Sequence, residues 1–116
     1  MKNILLILIT FSLLLEGTAF AKNTISILGS RTCGQWIKNK NEDVGINTSW
    51  GSIANHNWLV GYLSGEASAL QLDFLNGVDP ESIYLYVDNY CGKNPLNESS
   101  DGANSLINKL IDRMNK

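Results

Sequence analysis

Histidine is almost missing from this sequence, with His56 alone, and cysteine and proline each occur only twice. One imidazole cannot assemble a soft-ligand metal centre once the two thiols are committed to each other. Cys33 and Cys91 lie far apart with no CxxC pair, so they do not read as a redox-active dithiol. No Walker sequence, GxSxG elbow or glycine-rich phosphate loop occurs. Charges of both signs are scattered along the chain, and the formal net charge of −2 leaves no basic cluster to meet a nucleic-acid backbone. His56 sits between Asn55 and Asn57 with no evident partner for base catalysis. The paired carboxylates Glu42 and Asp43 lie in a polar stretch, where adjacent charges are ordinarily solvated. These absences disfavour enzymes, cofactor carriers and nucleic-acid binders, and the expectation is a non-enzymatic protein with no cofactor and no metal.

What is present begins with an address. Lys2 precedes an apolar run from Ile4 to Leu15, and Ala19-Phe20-Ala21 supplies small residues at a cleavage point, the layout of a secretory signal peptide. A spanning helix needs about 20 apolar residues, more than this run supplies. No cysteine follows the run to carry a lipid anchor. The expected organisation is a cleavable signal at 1–21 and one mature domain at 22–116, with no stable membrane insertion after cleavage. Lys2 and Glu16 leave together, so the net charge is unchanged. A domain of this size buries only about two thirds of its unfolded surface, which makes a covalent cross-link useful. In an oxidising compartment the even cysteine count reads as one disulfide, Cys33 to Cys91. Closing so long a loop is worth about 4 kcal/mol in the chain-entropy account.

The mature chain reads as all-α, a single small domain of about four helices with an extended N-terminal arm. Residues 22–31, with TISIL before Gly29-Ser30, form that arm or a short edge strand. Thr32 caps a short helix whose Cys33, Trp36 and Ile37 share one face. After a polar, solvated loop from Asn39 to Asn47, a second helix is expected over 49–63, with Trp50, Ile53, Ala54 and Trp58 as its stripe. Its end, WLVGYL, has no polar side and is expected to be enclosed, with a neighbouring helix crossing closely at Gly61 and a stop at Ser64-Gly65. Residues 66–77 read as a connection anchored by Leu70, Leu72, Phe74 and Leu75. Asp79, Pro80 and Glu81 give a clear helix start, followed by Ile83, Tyr84, Val87, Tyr90 and Cys91 on one face and a stop at Gly92. Asn97, Ser99 or Ser100 caps a last helix with Ala103, Leu106, Ile107, Leu110, Ile111 and Met114 as its apolar stripe. Leu59, Leu85 and Tyr86 lie off the assigned stripes, free for a partner or for cover by the 66–77 connection. With Leu70, Leu72 and Phe74 they make up the candidate partner-binding set.

Four segments, TCGQWI at 32–37, WLVGYLSG at 58–65, DNYCGKNPL at 88–96 and ANSLINKL at 103–110, resemble the HdeA/HdeB group of small periplasmic proteins. The likeness covers most of the mature chain. The periplasmic immunity proteins that neutralise type VI secretion amidases look similar too, with a GYxxG-like helix end, an NP before the last helix and a disulfide. The first resemblance implies a periplasmic binding protein, for its best-known members an acid-stress chaperone that holds unfolding clients on newly exposed apolar surface. The second implies an inhibitor or immunity protein against a periplasmic toxin, and an accessory of an envelope secretion or conjugation system stands beside it as a further alternative. The implied partner is therefore a protein or unfolded clients, with a homodimer as a further arrangement. The polar segment 38–49 and the apolar connection 66–77 depart from the short acid chaperones, so no client-binding residue is carried over.

Overall fold

The computed structural model describes residues 25–116, so the signal-peptide reading at 1–21 lies outside the described residues. Four α-helices follow one another: α1 (Cys33–Asn41), α2 (Trp50–Leu70), α3 (Pro80–Lys93) and α4 (Ser99–Met114). No named strand occurs among the described residues. The all-α, disulfide-stapled domain expected from the sequence is the fold observed.

Local chemistry sets the helix starts. The side chain of Thr32 accepts from the Gln35 N–H, that of Ser49 from Ser52 N–H, and that of Asp79 from Ser82 N–H, with Pro80 just inside α3. At α4 the cap is Glu98 in a reciprocal box with Asp101, rather than Asn97, Ser99 or Ser100. Ser99 is instead a buried hub. Its N–H donates to the Arg31 carbonyl at 2.7 Å, and its hydroxyl accepts from the Arg31 N–H at 3.0 Å. Cys33 N–H donates to the Asn97 carbonyl at 2.8 Å, closing a one-bridge ladder between Thr32 and Glu98. The described part of the arm, 25–31, is non-helical and is fastened to the start of α4 and, through the Leu28 carbonyl, to the Trp58 indole N–H at 2.9 Å.

The core gathers one stripe from each helix: Cys33 and Trp36 from α1, Leu59 and Leu63 from α2, Ile83, Val87 and Cys91 from α3, and Ala103, Leu106, Ile107 and Leu110 from α4. Phe74 drops into it from the α2–α3 connection. The Cys33–Cys91 disulfide ties α1 to α3 across a sequence separation of 58, with both sulfurs' residues fully buried. Beside it, Asp88 of α3 accepts from the Trp36 indole N–H at 2.7 Å and pairs with Lys40, both on α1.

Several expectations about α2 are corrected. The helix does not stop at Ser64-Gly65 but runs on to Leu70, ending at Gln71 with φ 53. Glu66, Ala67, Ala69 and Leu70 are strong helix formers and Ala67 packs on the core, which offsets the glycine cost of about 1 kcal/mol. WLVGYL is not enclosed: Val60 and Gly61 are exposed, and a methyl group at Gly61 would meet nothing within 4 Å. Close helix approaches lie instead at Gly51 of α2, where a methyl would come within 2.5 Å of the Asn39 side chain of α1, and at Gly102 of α4, where it would come within 2.9 Å of the Tyr90 ring. The expected stripe of Trp50, Ile53 and Ala54 faces solvent. Ser52, Asn55, Leu59 and Leu63 are the residues that α2 buries. Leu70, Leu72 and Met114 are also more exposed than their expected anchoring roles require.

Candidate partner-binding site

Residues 43–53 form a knuckle between α1 and α2. Val44 and Asn47 exchange both backbone hydrogen bonds, at 3.0 and 2.9 Å, across a two-residue turn of Gly45 and Ile46. Gly45 has φ 59, in the left-handed region that glycine enters without steric cost. Below the turn, the Asp43 carboxylate accepts from the Ser49 N–H at 2.7 Å with one oxygen and from the Ser52 hydroxyl at 3.1 Å with the other. The Asn39 carbonyl at the end of α1 accepts from the Ser49 hydroxyl at 2.8 Å and lies 3.1 Å from the Ser52 hydroxyl, whose single proton is shared between this carbonyl and Asp43. The base of the knuckle is thereby locked to both helices by side-chain bonds.

The electrostatics follow from that lock. The Ser49 N–H is the main cause holding the Asp43 carboxyl below its usual range; burial, the next in size, opposes it, and the Ser52 and Ser49 side chains add smaller lowering contributions. His56, one turn further along α2, is half-buried and stacks on Tyr84 with ring centroids 3.7 Å apart. Burial lowers the His56 pKa, while Asp88, Glu81 and Asp43 pull it upward by a lesser amount. Asn55 lies between them, fully buried, its oxygen accepting from the Asn39 amide at 3.3 Å and its own amide nitrogen unpartnered among the described residues.

Above this polar base the tip is apolar. Ile46 is 100% exposed, Trp50 86% and Val44 71%, and Ile53 follows Trp50 on the same side of α2 at 37%. The usual order of a surface helix is therefore inverted over its first two turns, with Ser52 and Asn55 inside and Trp50 and Ile53 outside. An exposed Leu or Ile alone is unremarkable, whereas buried polar groups beneath a group of exposed large apolar ones are informative. What this arrangement offers chemically is apolar contact area on a preordered backbone, which costs little further entropy to present.

The residues expected from sequence to bind a partner do not gather into one surface. Leu59 and Phe74 are in the core at 0 and 1% exposure and are removed from the candidate set. Leu70 and Leu72 straddle the end of α2, partly exposed, and Leu85 stands outward on α3. Tyr86 is half-buried, its hydroxyl 2.9 Å from that of Ser105. The knuckle was hidden in the sequence because Trp50 and Trp58 suggested one helical phase, while Ser52 and Asn55 are in phase with Leu59 and Leu63. Val44 and Ile46, apolar residues flanking Gly45 in a mostly polar loop, are the other available signal. Neither a protein-family model, nor a curated protein, nor a solved structure matches this chain.

Proposed function

We propose that this is a non-enzymatic periplasmic binding protein, exported through its signal peptide, that engages a folded protein partner through the knuckle at 43–53. The single observation carrying the reading is the inversion at the start of α2: Ile46, Trp50 and Val44 exposed above a hydrogen-bonded polar base. Large rigid apolar and aromatic side chains are the usual anchors of protein interfaces. A disulfide is at home in an oxidising compartment, which supports export. No helix among the described residues is long and apolar enough to cross a membrane. Of the two resemblances noted, the inhibitor or immunity type fits a preordered protrusion better than a chaperone does, because a chaperone's client surface appears only on loosening.

A second reading, the HdeA-like acid chaperone, is favoured by a separate observation. Asp43 and His56 both have pKa values below their ordinary ones, so acid weakens the base of the knuckle and the α2–α3 contact. The two readings part in one experiment. Tagged mature protein and its Ile46→Asp variant are incubated with periplasmic extract at pH 7 and pH 3. The folded-partner reading predicts one stoichiometric protein retained at pH 7 and lost with Ile46→Asp. Retention of many unfolded proteins at pH 3 alone, unaffected by the variant, favours the chaperone instead.

A further inference from the structure

A groove of about 690 Å³ lies between α3 and α4, away from the knuckle. Its floor is apolar, made by Val78, Ile83, Tyr86, Leu106 and Leu110. Its α4 side carries Lys109 and Arg113 against the one side-chain carboxylate of Asp112, with Lys116 at its edge. The helix end accounts for only part of this charge. Arg113 lies in the last turn of α4, where a cation offsets the helix dipole, but Lys109 stands further back, where that effect has faded. The ion pair found among the described residues, Lys40 with Asp88, is elsewhere, so the groove's cations are not spent on internal bridges.

We propose that this groove binds a free single-chain aliphatic anion, the tail lying along Ile83, Leu106 and Leu110 and the head group meeting Lys109 and Arg113. The volume falls within the few-hundred to thousand Å³ range of small-ligand sites, and a mostly apolar wall with a few placed charges is their ordinary composition. Lys109 and Arg113 against the one side-chain carboxylate of Asp112 select an anionic head over a neutral one. The apolar floor selects a long tail over a short one, since each methylene removed from water adds to binding. This site is independent of the knuckle, so either assignment stands or falls without the other.

The test uses the mature protein with its disulfide intact, followed by amide NMR shifts during titration with monomeric decanoate, decanol, propionate and anionic phospholipid vesicles. Decanoate is expected to bind saturably, with shifts centred on residues 78–86 and 106–116, and decanol and propionate at least about tenfold more weakly. Lys109→Glu combined with Arg113→Glu is expected to weaken decanoate by about tenfold or more, while amide shifts outside the groove show that the fold is kept. Ile46→Asp is expected to leave decanoate binding unchanged. Equal affinity for decanol, unchanged affinity in the charge-reversed variant, no saturable shift, or association with vesicles without binding of monomer would each overturn the proposal.

Discussion

Two glycines show how the surroundings of a single Cα decide the sign of a mutation. Gly102 faces Tyr90 and Val87, so a methyl there would stand 2.9 Å from the Tyr90 ring and 3.4 Å from a Val87 methyl. Gly102→Ala is expected to destabilise by about 1–3 kcal/mol as α3 and α4 are pushed apart. Gly61, mid-helix with nothing near its Cα, should respond oppositely, with Gly61→Ala stabilising by about 0.5–1 kcal/mol. Denaturant melts of the two variants check both signs. Titrating groups act at this scale as well. His56 has a folded pKa below its usual 6.5, so the unfolded chain binds its proton first and stability falls as pH drops from above that value toward the folded pKa. Asp43 and Asp79 are likewise lowered from 3.8, mainly by accepting from Ser49 N–H and from the Ser82 side chain, and lose their contributions at more acid pH. Unfolding midpoints should therefore decline in two stages. His56→Phe should flatten the upper stage and leave the lower, and a profile with no step near neutral pH would contradict this account.

Among the elements, α1, α3 and α4 are largely legible in the sequence, because each has one apolar stripe at helical spacing and α1 and α3 start at the capping residue expected of them, whereas α4 is capped by Glu98 and not by Asn97, Ser99 or Ser100. The Asp79-Pro80 start of α3 and the run from Ala103 to Leu110 in α4 are found where the sequence places them. The knuckle and α2 were not. In α2 the apolar residues occupy all sides, so periodicity does not choose a phase, and the choice falls to Ser52 and Asn55, whose burial depends on acceptors supplied by Asn39 and Asp43 from another segment. Such long-range polar satisfaction leaves no periodic trace. The end of α2 was missed for a related reason: Ser64-Gly65 resembles a stop, but packing of Ala67 on the core carries the helix past it. Between elements, Asp88 joins α3 to α1 through Trp36 and Lys40. Asp88→Ala would leave the buried Trp36 indole N–H without its acceptor, and a loss of about 1–3 kcal/mol in a denaturant melt is expected. Lys40→Ala, at a largely exposed partner, should cost less than about 1 kcal/mol.

For the whole molecule, the disulfide and the four-stripe core hold a scaffold on which the knuckle is displayed at one end of α1 and α2. Cys33→Ser with Cys91→Ser should lower stability by about 4 kcal/mol, a large share of what a domain of this size possesses, and thermal melts under oxidising conditions would register it. Ile46→Asp is the opposite case. Its side chain touches solvent alone at 100% exposure, so stability should stay within about 0.5 kcal/mol of wild type while partner binding is lost. Photo-cross-linking in cells separates display from support most directly, with a photoactivatable residue placed singly at Ile46 and at Leu85 of otherwise native protein. The account predicts a discrete cross-linked partner from position 46 and none from position 85. Capture from position 85 with nothing from position 46 would contradict it.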